Sequence, residues 1–127
     1  MGNLIIENGG DIFLQSKKKL TVAIYAGEST LNYKVNIIVK PEETPLGICT
    51  SSATVGPSLS FGKANAVCVI SKSATLADAA ASAIGNRVKS KNDIKTALDY
   101  GIKIPGVTGI IIIFGNDMGA MGEVEFA

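Results

Sequence analysis

Hydrophobic and polar positions alternate in short blocks through the first third of the chain and merge into continuous apolar runs towards its end. Asn3 to Ile6 and Asp11 to Leu14 are short apolar runs separated by Glu7-Asn8-Gly9-Gly10. Asn-Gly is a favoured hairpin turn, so this pattern predicts a β-hairpin. Lys19 to Ala26 (KLTVAIYA) predicts a third strand ended by Gly27, and Lys34 to Lys40 (KVNIIVK) a fourth stopped by Pro41. Gly47 to Lys63 has no long apolar run and is rich in Ser, Thr and Gly. It predicts a loop whose hydroxyls bond its own backbone, and its length points to function, since long structureless loops in small domains are seldom mere connectors. Asn65 to Ser71 (NAVCVIS) then reads as a strand.

Helical spacing enters after that strand. Thr75-Leu76-Ala77-Asp78 fits the Ser/Thr-x-x-Asp/Glu capping pattern ahead of an alanine run, predicting a helix from Thr75 to Ile84 with Gly85-Asn86 as its stop. A second helix is expected from Asn92, as N-cap, to Gly101, with Ile94, Ala97 and Leu98 on one buried face. Pro105-Gly106 breaks the chain. Val107 to Phe114 is the most apolar strand, and Gly115 to Gly119 turns towards a short last strand, Glu123 to Phe126. The order of elements predicts one α+β domain over residues 1–127, with a mixed or antiparallel sheet and two main helices.

Composition narrows the chemistry. Hydrophobic residues make up 46% and charged residues 18%, which excludes disorder and demands extensive burial. The net charge of +1 offers no electrostatic attraction to nucleic acid or an anionic membrane, and Lys17-Lys18-Lys19 reads as a solvated turn. The longest apolar run, Gly109 to Phe114, suits a buried strand and falls short of a membrane span. With no signal pattern at the N-terminus, a cytoplasmic protein is expected. Cys49 and Cys68 are too widely spaced for a C-x-x-C motif and are expected to be buried thiols. Histidine is absent, which removes Ser-His and Cys-His nucleophile pairs and His-containing zinc sites from this chain taken alone.

What remains is oxygen chemistry. On a helix Asp78 and Ser82 share one face, and a carboxylate with a hydroxyl suits a hard cation such as Mg²⁺. The plainer reading has Asp78 closing a capping box with Thr75. Glu7-Asn8-Gly9-Gly10-Asp11 reads either as a hairpin turn with solvated acids or as a close approach of backbone to a ligand. The Gly47 to Gly62 stretch offers donors to a phosphate without matching the G-x-x-x-x-G-K-S/T loop, and Gly56-Pro57-Ser58-Leu59-Ser60 fails the G-x-S-x-G elbow at its last position.

ENGGDIFL at 7–14, GICTSSATVGPSLSFGKANAV at 47–67, LADAAASAIGN at 76–86 and GVTGIIIIFGNDMGAMGEVE at 106–125 together resemble an uncharacterised prokaryotic family related to ApbE, the FAD:protein FMN transferases. The resemblance implies an ApbE-like fold, of which this chain would be the C-terminal half and so incomplete. It places the family's D-A-x-x-T metal motif on Asp78, Ala79 and Ser82, with Mg²⁺ engaging FAD. Asn8, Gly9, Gly10 and Asp11 fall on the nucleotide-binding region, and Thr50, Ser51, Ser52, Thr54, Ser58 and Ser60 would line the nucleotide. Where relatives read Gly-His-Ser, this chain has Gly56-Pro57-Ser58.

The implied function is part of a Mg²⁺-dependent flavin nucleotide transferase or hydrolase. The alternatives are a non-catalytic module binding a flavin or another small ligand, and a structural subunit acting only in an assembly. Half of a fold would leave edges and apolar faces uncovered, so a homo-oligomer or a separately encoded N-terminal half is the expected partner.

Overall fold

The computed structural model describes residues 3–7, 11–26, 29–32, 34–51 and 64–127. Strand β1 (Asn3–Glu7) lies parallel to β3 (Leu20–Ile24), which pairs antiparallel with β4 (Asn36–Val39). A second sheet runs in the order β2 (Asp11–Leu14), β5 (Leu46–Ser51), β6 (Ala66–Ser71), β7 (Val107–Phe114), β8 (Asp117–Gly122), antiparallel throughout. Helices α1 (Ala74–Gly85) and α2 (Ile94–Ile102) complete the regular elements. The class is α+β, with mostly antiparallel pairing and two helices, as the sequence pattern predicts.

The layers follow from strand alternation. One face of the five-stranded sheet presents Ile48, Cys68, Ile70, Ile111 and Ile113 to Val22, Ile24, Ile37 and Val39 of the three-stranded sheet. Its other face presents Cys49, Val67, Val69, Ile110 and Ile112 to Ala77, Ala80, Ala81 and Ile84 of α1 and Ala97 and Leu98 of α2. A strand covered on both faces has no reason to alternate, which is why β6 and β7 read as unbroken apolar runs.

Three local expectations about the strands are corrected. β1 and β2 do not form a hairpin: β1 belongs to the three-stranded sheet and β2 to the five-stranded one, and β2 is instead the crossover that lets β3 return parallel to β1. The stretch read as a polar loop from Gly47 begins as a strand, because β5 is buried from Leu46 to Thr50 and loses the alternation that would mark it. Gly47 is small for a packing reason, since a Cβ there would lie 2.6 Å from the Ala74 Cα. The last strand is Asp117–Gly122, a hairpin partner of β7 across Gly115-Asn116, with Gly115 at φ +63°. The Glu123 to Phe126 stretch instead returns to β4, with Ile38 N–H donating to the Glu125 carbonyl at 2.8 Å and Ala127 N–H to the Asn36 carbonyl at 2.9 Å.

The helix starts are also displaced. The cap of α1 is Ser73, whose hydroxyl accepts from the Leu76 N–H at 3.2 Å, so Thr75 and Asp78 do not form a capping box. Asn92 is not the second N-cap: a 3-10 turn at Lys91–Asp93 leads into α2, and the Asp93 carboxylate accepts from the N–H groups of Lys89 and Ser90 at 2.9 and 3.1 Å. Both cysteines are buried and no disulfide joins them, and Lys17, Lys18 and Lys19 are exposed. No helix among the described residues is long and apolar enough to cross a membrane.

Candidate functional site

Of the candidate residues, Asp11, Thr50 and Ser51 lie around the end of β5, and Asp78 and Ser82 stand apart from them on α1. The register of β2 on β5 sets Asp11 beside Cys49, so the segment entering β2 and the end of β5 lie at the same pole of the sheet. Helix α1 follows β5 in the same direction. Its first residue, Ala74, abuts Gly47, and at its last turn a Cβ on Gly85 would sit 3.5 Å from the Ser51 Oγ. The carbonyl end of α1, the negative end of its dipole, therefore points to the pole occupied by Asp11, Thr50 and Ser51.

Strand alternation separates the two β5 hydroxyls. Ser51 lies on the helix side with Cys49, whereas Thr50 follows Ile48 towards the three-stranded sheet. Thr50 is 7% exposed, and its Oγ1 is buried with no hydrogen-bond partner among the described residues. An orphaned buried hydroxyl costs roughly 1–3 kcal/mol, so it marks a place where a further polar atom would be welcome.

Asp78 and Ser82 occupy the outward face of α1. Ala77, Ala80, Ala81, Ile84 and Gly85 form the buried face, and Asp78, Ala79 and Ser82 are exposed. Neither the Asp78 nor the Ser82 side chain takes part in a hydrogen bond or ion pair among the described residues. The structure thus brings Ser82 within one turn of Gly85, against which Ser51 packs, and leaves Thr50 across the sheet from both helix residues. Asn8, Gly9, Gly10, Ser52, Thr54, Ser58 and Ser60 lie outside the described residues. Among the described residues no three of His, Cys, Asp or Glu cluster to hold a metal ion. The pair on α1 supplies two oxygens of the kind Mg²⁺ takes while keeping waters or phosphates in its other positions.

Comparison with known proteins decides the family. A family model described as AbpE bacteria matches residues 1–121. The chain belongs to this family. A UPF0280 protein of Methanocella arvoryzae is 47% identical over 94% of the chain and 49% of its own length. One of Methanocaldococcus jannaschii is 42% identical over 96% of the chain and 52% of its own, and one of Methanosarcina barkeri is 41% identical over 94% and 47%. The AbpE-family chain spans about half the length of the curated relatives it matches. Its placement as a C-terminal half of the ApbE-related transferase fold is corrected by these matches. The family model that matches is AbpE bacteria, and the relatives cited are UPF0280 proteins.

Sequence reasoning missed two features here. Neither the strand character of Thr50 and Ser51 nor their division between faces was visible, because Leu46 to Thr50 is buried on both sides. The pairing of Gly47 with the alanine opening α1 was the available signal, since helices approach strands closely only where both residues are small.

Proposed function

We propose that the outward face of α1 binds the phosphates of a flavin nucleotide such as FAD through Mg²⁺, as part of a flavin nucleotide transferase or hydrolase. The observation that carries this is the exposed, unengaged pair Asp78 and Ser82 on the outward face of α1. Asp78 and Ser82 stand one helical turn apart on that face, a carboxylate and a hydroxyl of the kind Mg²⁺ takes.

In this reading Asp78 and Ser82 hold the ion, and Asp11 and Ser51 border the nucleotide. Bound Mg²⁺ would neutralise charge on the phosphate oxygens, the chief requirement of chemistry at phosphorus. The chain's own residues would act by positioning, as they contain no histidine to move a proton.

Titration calorimetry with FAD, with and without Mg²⁺, tests this. Binding that requires Mg²⁺ and is lost in Asp78→Ala supports the metal-nucleotide reading. Binding indifferent to Mg²⁺ and to Asp78→Ala favours a module that holds the ligand without metal. Absence of binding under both conditions overturns both.

A further inference from the structure

The outward side of α2 carries a recess that the Asp78 and Ser82 site does not use. Ala97, Leu98 and Gly101 turn into the core, which leaves Thr96, Asp99, Tyr100 and Lys103 along the opposite stripe of the helix. Ile104 and Pro105 close the end of that stripe. Their turn is held by the Ile104 N–H donating to the Gly101 carbonyl at 3.0 Å and the Val107 N–H to the Ile104 carbonyl at 3.1 Å. Together these six residues line a cavity of about 560 Å³, a size usual for small-molecule sites.

The walls divide into an apolar part and a cationic part. Tyr100 is half-buried, and the Arg87 guanidinium lies 3.6 Å from its ring centroid, which fixes the ring from the side of the α1–α2 connection. A guanidinium stacked in this way keeps its charge. Neither Arg87 nor Lys103 has a carboxylate partner among the described residues, whereas Asp99, the one carboxylate lining the cavity, is engaged by Lys95 at 3.2 Å. Residues 86–105 carry five lysine and arginine side chains against two aspartates, in a chain whose net charge is only +1. The complement of such a surface is an anion. The same surroundings limit its charge: the cavity borders the carbonyl end of α2, and Asp99 stands one turn before Lys103, so both oppose a doubly charged group.

We infer that this cavity binds an aromatic carboxylate, with its ring against Tyr100, Ile104 and Pro105 and its carboxylate on the Lys103 ammonium. A flat ring suits walls made of an aromatic ring, a proline and a branched aliphatic side chain, all held in place by stacking or by backbone hydrogen bonds. A single negative charge suits one lysine that has no carboxylate of its own. None of these residues enters the nucleotide reading and no metal is required, so this inference stands apart from it.

Titration of the full chain with cinnamate in Mg²⁺-free buffer, followed through amide shifts in NMR spectra, tests it. The expected shifts saturate and centre on Thr96 to Ile104 and on Arg87, and the uncharged cinnamamide binds about fivefold more weakly. Lys103→Met keeps most of the stem and removes the charge at an exposed position, and should bring the two ligands to equal affinity. Tyr100→Leu, with its fold checked by circular dichroism, should weaken both. Shifts that fail to saturate or centre elsewhere, equal affinities in the unmodified chain, or a preference for cinnamate that survives Lys103→Met would each overturn the inference. Tighter binding of phenyl phosphate than of cinnamate would overturn the assignment to a carboxylate.

Discussion

At the scale of single residues, the polar side chains separate into those with a structural partner and those without one. Ser73 has one, through the Leu76 N–H, and Ser73→Ala should lower stability by about 1 kcal/mol in urea denaturation, the usual cost of a lost N-cap. Thr50 has none among the described residues, so Thr50→Val should raise stability by about 1 kcal/mol by removing a desolvated hydroxyl. A decrease in its place would mean that the hydroxyl is satisfied. Asp78 is exposed in mid-helix, and Asp78→Ala should change stability by less than about 0.5 kcal/mol, the range of ordinary surface substitutions. The same variant should abolish any Mg²⁺-dependent binding of FAD. A carboxylate that matters to binding and not to folding is what separates a ligand from a cap.

At the scale of elements, the seating of α1 on β5 determines where the candidate site forms. Gly47 and Ala74 meet backbone to backbone, and the backbone cannot yield as a flexible side chain can. Gly47→Ala should therefore cost about 1–3 kcal/mol and move α1 as a body. Its effect should extend to Ser51 and Gly85 at the far end of the helix, visible as amide shifts there in NMR spectra. Gly101 meets only the ends of the Ile84 and Ile110 side chains, which can repack. Much of this level was legible in advance: the β6 and β7 runs, the alanine helix and the Ile94, Ala97, Leu98 face all follow from period and propensity. The separation of β1 and β2 into different sheets was not, because Asn-Gly favours a tight turn locally while the burial of Ile12 and Leu14 between the sheets rewards sending β2 to the second sheet.

At the scale of the whole molecule, the C-terminal tail closes one sheet edge. Lys40 and Glu125 meet at 3.1 Å, and hydrogen bonding to that carboxylate raises the Lys40 pKa above its ordinary value. The Lys40 side of the pair thus favours the folded tail through neutral pH and its contribution fades in strongly alkaline solution, as pH rises through the raised pKa. Both groups are exposed, so the backbone bonds to β4 carry most of the attachment. Removing residues after Gly122 should lower the thermal midpoint and produce concentration-dependent aggregation in light scattering, because it strips the cover from the β4 edge.

The sequence by itself determined the class of the molecule, two helices against β-rich layers, because hydrophobic period and turn chemistry are local properties. It also singled out Asp78 and Ser82 as neighbours on one helix face, since that spacing needs nothing beyond the helix. Only the tertiary structure decided which strands pair, that Thr50 and Ser51 look to opposite sides of a sheet, and that Ser51 packs against the last turn of α1. These depend on which surfaces are covered, and a strand buried on both faces carries no periodic mark of its neighbours. The site drawn from the polar stretch is accordingly divided by the sheet, with Ser51 on the side of Asp78 and Ser82, and Thr50 on the other.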